Sequence, residues 1–228
     1  MASIPLVLER KETSMSNMSA EDWRTYAEAC AFLGNSLLKP MSQTSPIGID
    51  PAFWDAFPDF GCAEVRAAAS GCRAFAESLS GMGPDQIVQQ ISVEYTRLFI
   101  GPPSPAAPPW ETMYRFDGVT VGFGEATFEM RRLLREAGLQ LSNENNQYED
   151  HMGIELLYLS VISGRVSEAI ESEGSAGSLI GELGLFVKER PLSWIQMLSE
   201  RVEEVFPEGY YLRLLRLVEA IVGFGAMR

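Results

Sequence analysis

Apolar residues recur at spacings of three and four along most of this chain, the period of helices that bury one face. The first such stripe is Trp23, Tyr26, Ala27, Cys30, Leu33 and Leu37. It follows Ser19-Ala20-Glu21-Asp22, a capping-box pattern with Asp in place of Glu, and Pro40 closes it. Asp50-Pro51 reads as an N-cap with proline at the first helical position, opening a short helix through Phe53, Trp54 and Phe57. An Ala-rich helix is predicted over about 63–79, and Gly83-Pro84-Asp85 starts another whose stripe is Ile87, Ile91, Tyr95 and Leu98. Further helices are predicted near 124–136, ended by Gly138, and near 150–163, 167–173, 179–188, 192–205 and 208–224. Ser193-Trp194-Ile195-Gln196 is a second capping-box pattern, inside the 192–205 segment. No hairpin signal and no repeat of 30–45 residues is present. The expected fold is all-α, a helical globule of about ten helices with no sheet.

Two stretches interrupt the pattern. Residues 101–110 read Gly-Pro-Pro-Ser-Pro-Ala-Ala-Pro-Pro-Trp and hold five of the thirteen prolines, so the run is expected to be extended and stiff. An aromatic on such a loop loses little entropy on meeting a ligand, so Trp110 is a candidate for peptide recognition; equally, Pro109-Trp110 could fold back as a lid over the core. Residues 142–147, Ser-Asn-Glu-Asn-Asn-Gln, are polar and turn-prone. The expected organisation is a flexible segment at 1–18 and one all-α domain over 19–228, with a candidate hinge at 142–149 between its halves.

Charge narrows the partners. Eighteen Lys and Arg against thirty-one Asp and Glu give a net charge of −13, which argues against nucleic acid and toward a cationic protein partner. Cys30, Cys62 and Cys72 are odd in number and lack Cys-x-x-Cys spacing, so neither a zinc ribbon nor a disulfide framework is expected and a reducing compartment fits. The apolar run at residues 4–8 is too short for a secretory signal, and no window approaches the ~18 apolar residues of a membrane span. The expected location is cytoplasmic.

Candidate chemistry is sparse. His151, the single histidine, lies in Tyr148-Glu149-Asp150-His151-Met152-Gly153-Ile154-Glu155, and His151 and Glu155 share a face if a helix starts near Asp150. That is half of a metal site of the kind helical bundles carry, or else a helix start with the acids in its first turn. No Gly-x-Ser-x-Gly elbow is present. Gly122-Phe123-Gly124 has no third glycine and no preceding strand, and reads as a bend into the next helix. Arg131-Arg132 reads as a solvated helix face.

Two blocks taken together resemble a known family. Residues 94–102, Glu-Tyr-Thr-Arg-Leu-Phe-Ile-Gly-Pro, with Ala107-Pro108-Pro109-Trp110-Glu111 and Tyr114, resemble the first signature of the TorD/DmsD/NarJ chaperones that mature redox enzymes. Residues 148–156 resemble the second, which usually reads Pro-Glu-Asp-His-x-Gly-x-Glu. Residues 186–194, Phe-Val-Lys-Glu-Arg-Pro-Leu-Ser-Trp, resemble a helix end and restart in the family's C-terminal half. The resemblance implies a cytoplasmic, all-helical chaperone without enzymatic activity and with no metal or cofactor of its own. Its partners would be the twin-arginine signal peptide and the apo catalytic subunit of a molybdenum-cofactor oxidoreductase, held for cofactor insertion and kept from premature export. Carried over by position, peptide-binding residues fall on Leu98, Pro109, Trp110, Asp150 and His151. Supporting positions are Glu94, Tyr95, Arg97, Phe99, Gly101, Pro102, Tyr114, Glu149, Gly153 and Glu155, with Glu94 and Arg97 expected to pin helix to loop. The oligomeric expectation is a monomer or a dimer that exchanges halves.

The sequence departs from the family at Tyr148, where proline is usual, and at Pro103, where DmsD-type members carry tryptophan after Gly-Pro. The alternative of another class is a helical metalloenzyme centred on Glu149, Asp150, His151 and Glu155. A general acidic scaffold is a third.

Overall fold

The computed structural model describes residues 15–115, 118–119, 122–142 and 146–226. Helix α1 (Ala20–Leu38) starts where the sequence places it: Ser19 accepts from the Asp22 amide, and Asp22 accepts from the Ser19 amide. Asp50 caps α2 (Pro51–Asp55) by accepting from the Ala52 amide. Then come α3 (Ala63–Ser78), α4 (Pro84–Tyr95), the short α5 (Thr112–Arg115) and α6 (Glu125–Glu136). The C-terminal half holds α7 (Met152–Glu171), α8 (Gly177–Glu189), α9 (Pro191–Val205) and α10 (Tyr210–Gly225). Among the described residues the only β-pairing is one isolated bridge, so the expected all-α fold stands. No described helix is long and apolar enough to cross a membrane.

Helix α10 is the innermost element. Leu212, Leu214, Leu215, Leu217, Val218, Ile221 and Val222 are all buried, on more than one face, as expected of a helix surrounded by others. It packs on α3 and α9, while α1 and α7 lie along one another. That last pair approaches closely because glycines meet: a Cβ on Gly34 would stand 2.7 Å from the Gly153 carbonyl oxygen, and one on Gly153 at 2.7 Å from that of Gly34. Glu94, on α4, does not pin the Pro-rich loop. Its carboxylate accepts from the Tyr210 and Tyr211 amides at 3.1 and 2.8 Å and so caps α10. Arg97 lies over the Phe206 ring at 5.4 Å, next to the start of the same helix.

Several expectations are corrected. The predicted 150–163 and 167–173 segments form the single helix α7, because Gly164 breaks no hydrogen bond and costs only helix propensity. Ser193 is no N-cap: α9 opens two residues earlier at Pro191, and the Ser193 hydroxyl donates back to the Arg190 carbonyl at 2.8 Å. Helix α5, absent from the prediction, is a single turn. The expected flexible segment at 1–18 falls mostly outside the described residues; Met15 and Met18 within it are buried. The candidate hinge at 142–149 also includes residues outside them.

Candidate functional site

The 101–110 loop does not stand away from the body. After α4 the chain makes one wide π-type turn over Thr96–Ile100. This keeps Leu98 and Phe99 buried and presents the carbonyls of Arg97 and Leu98 to the Ala106 and Ala107 amides at 3.2 and 2.8 Å. Gly101 makes the reversal with φ +97°, and a Cβ there would lie 2.7 Å from the Ser104 carbonyl carbon. The loop is therefore pinned back along its own helix end, and Pro109 is buried with it.

From there the first block runs antiparallel to the second. The Glu111 amide donates to the Asp150 carbonyl at 3.0 Å and the Met152 amide to the Pro109 carbonyl at 2.9 Å, making the bridge between Trp110 and His151. His151 is the N-cap of α7: its Nδ1 accepts from the Gly153 amide at 2.9 Å. An accepting Nδ1 leaves the ring proton on Nε2, which has no hydrogen-bond partner among the described residues. Burial pushes the imidazole down to about 3, so the ring is neutral.

Asp150 joins three helix starts. One carboxylate oxygen accepts from the Thr112 amide and hydroxyl at 2.9 and 2.6 Å, the other from the Thr127 hydroxyl at 3.0 Å. Thr112 opens α5, Thr127 lies in the first turn of α6, and Asp150 itself precedes α7. Burial raises the acid's pKa and these donors oppose the rise.

Below this lock lies a second layer of charge. Glu111, fully buried, accepts from Arg190 at 3.1 Å and from Arg115 at 3.2 Å, and both arginines also hold Glu129, at 2.5 and 2.9 Å respectively. The break between α8 and α9 explains its own motif: it turns Arg190 toward Glu111 and brings Trp194 under the site. There Trp194 donates to Glu155 at 3.2 Å and stacks on Tyr114 at 5.4 Å. Burial and the nearby Glu111 charge raise the Glu155 acid well above the carboxylate range, favouring its protonated form.

Of the residues expected to touch a peptide, Leu98, Pro109, Asp150 and His151 are buried and Trp110 is half-buried. Leu98, Pro109, Asp150 and His151 thus make the buried frame of the candidate site, and Trp110 its half-buried edge. The metal alternative loses its ligand set: Asp150 faces hydroxyls, Glu149 turns outward to Arg131, and no group of three or more candidate ligands converges among the described residues. Surface aromatic residues that the sequence reading left unassigned complete the picture. Trp110 meets Tyr148 edge-on at 5.9 Å, Tyr148 meets Phe123 at 5.3 Å, and Phe123 meets Phe128 at 5.0 Å. Tyr148, the position at which the sequence departs from the expected motif, thus bridges the loop tryptophan to Phe123 and Phe128, which are 40% and 55% exposed. Gly122 lies so close over Trp110 that a Cβ would stand 2.8 Å from the indole.

Comparison with known proteins places the chain among its relatives. The family model described as nitrate reductase delta subunit matches residues 63–200. The chaperone protein TorD of Vibrio vulnificus (strain YJ016) is 27% identical over 162 residues, 70% of this chain and 74% of the relative. The Tat proofreading chaperone DmsD of Salmonella typhi is 41% identical over 63 residues, 28% of this chain and 30% of the relative. A probable Tat proofreading chaperone DmsD of Haemophilus influenzae is 24% identical over 129 residues, 57% of each chain. Because the matched region takes in both motif blocks, the threonines that lock them and the helix break beneath, the chain belongs to the nitrate reductase delta subunit family, the TorD/NarJ family.

Proposed function

We propose that this protein is a cytoplasmic chaperone of a molybdenum-cofactor oxidoreductase. It binds the twin-arginine signal peptide of the apo catalytic subunit, holds that subunit for cofactor insertion and delays its export. The observation that carries this reading is the lock at Trp110 and His151. It sets a rigid frame (Leu98, Pro109, Asp150, His151) behind a line of surface aromatic rings, with the Glu149 carboxylate at its edge. A twin-arginine peptide offers guanidinium groups followed by an apolar stretch, and that surface offers a carboxylate next to exposed rings. The names of the relatives and the net charge of −13 support the same partner. No catalytic step is assigned to the chain.

Titration with one labelled twin-arginine peptide and its twin-lysine variant tests this. The arginine peptide is expected to bind about tenfold tighter or more, since only guanidinium pairs bidentately and stacks. Trp110→Ala is expected to weaken binding by roughly 2 kcal/mol with little salt dependence, as for a central aromatic contact. Equal affinity for the two peptides overturns the reading in favour of a general acidic scaffold.

A further inference from the structure

The outer end of the aromatic line carries a second arrangement that the lock does not require. Arg131, on α6, donates its Nε and Nη2 to the two oxygens of Glu149 at 2.7 and 3.0 Å. The same guanidinium lies over the Phe123 ring at 6.0 Å and the Phe128 ring at 5.8 Å. A carboxylate met fork-on beside two aromatic rings within cation–π range is a receptor for one guanidinium group. Here an arginine of the chain itself fills it.

The two partners of this ion pair differ in exposure. Arg131 is 44% exposed, so in turning into water it gains solvation and gives up only an exposed ion pair and ring contact, whereas the Glu149 side chain is only 17% exposed and gains from a cation beside it. Phe123 and Phe128 are large and exposed among the described residues, and Glu149 immediately precedes the Asp150-His151 pair of the lock. An ammonium group fits poorly, because it neither matches the two carboxylate oxygens in one plane nor stacks flat on a ring.

We propose that this pocket reads an arginine of the bound peptide and that Arg131 is its placeholder in the free protein, displaced when the peptide's guanidinium pairs with Glu149 and takes its place over Phe123 and Phe128. The assignment rests on the signal-peptide reading and names the residues that recognise the peptide's charge. It also gives the chain a built-in competitor, so that a lone arginine on an unrelated protein must beat an intramolecular pair before it binds.

Two probes separate this assignment from the chaperone reading itself. The first is N-acetyl-argininamide, followed by shifts of the Phe123, Phe128 and Tyr148 ring resonances. Arg131→Ala should bind it saturably, N-acetyl-lysinamide at least about tenfold more weakly, while wild type and Arg131→Ala/Glu149→Gln should bind neither. The second is the twin-arginine peptide, which should bind Arg131→Ala about three- to tenfold tighter than wild type, because a surface ion pair and a cation–π contact no longer compete. Arg131→Lys should fall between the two. Argininamide bound no better than lysinamide, or peptide binding unchanged or weakened by Arg131→Ala, overturns the placeholder. If Arg131→Ala binds argininamide but no form of the protein binds the twin-arginine peptide, the pocket stands and the chaperone reading fails.

Discussion

A buried carboxylate surrounded by hydroxyl and amide donors is held by their number and direction, and Asp150 has Thr112 and Thr127 arranged about both its oxygens. Asp150→Asn replaces one acceptor oxygen by an amide NH2 group facing those donors. It should lower stability in urea unfolding by roughly 1–3 kcal/mol. His151 acts through its proton. Its folded-state pKa of about 3 lies below the ordinary value of 6.5, so between the two the unfolded chain takes up a proton that the folded chain refuses. The stability contributed by the neutral ring is complete above that ordinary value and is lost as pH falls toward the folded one, by at most about 1.4 kcal/mol per pH unit. The carboxyls of Glu94, Glu111, Asp150 and Glu155 are raised by burial and slope the other way, favouring the folded state as pH falls through their folded values. Comparing wild type with His151→Asn, which keeps a capping oxygen, isolates the imidazole. The variant should be less sensitive to acid between pH ~6.5 and ~4.5.

Helices α1 and α7 depend on the glycine contact between them. Gly34→Ala places a methyl group against the Gly153 carbonyl and should cost about 1–3 kcal/mol in thermal or urea unfolding, since backbone yields less readily than a side chain. Gly164→Ala, farther along α7 with no atom of another described element within 4 Å of its would-be Cβ, should stabilise by up to about 1 kcal/mol. How far each element can be read from sequence follows from the same distinction between local and distant partners. The Ser19 box and the Asp50 cap are settled within a few residues, and both form as expected. Ser193 has the right local pattern, but Pro191 opens the helix first. The periodicity that places Leu98 on the α4 stripe is right about its burial, yet blind to the wide turn that carries it there. At the site, the motifs pick out Asp150 and His151. The partners of Asp150 lie 38 and 23 residues away, and single threonines at such distances carry no pattern. Phe123 and Phe128 are hidden for the same reason: an exposed aromatic residue is ordinary until its neighbours are known.

Taken whole, the molecule keeps its thiols out of reach. Burial pushes Cys30 and Cys72 up to about 12 and raises Cys62 as well, so none is a ready nucleophile at neutral pH. Ellman's reagent should find fewer than one reactive thiol per native chain and all three after unfolding, with Cys62 reacting first; a fast native reaction at Cys30 would contradict this packing. The bridge between Trp110 and His151 has a consequence on another timescale. Its two donors, the amides of Glu111 and Met152, are the only hydrogen bonds that pair these segments directly through their backbones among the described residues. Their exchange with deuterated solvent therefore reports how often the two segments part, independently of global unfolding. A peptide that settles on the outer rings should slow exchange at both amides together, whereas one that inserts between the segments should speed it, so the two routes of entry leave opposite isotopic signatures on the same pair of protons.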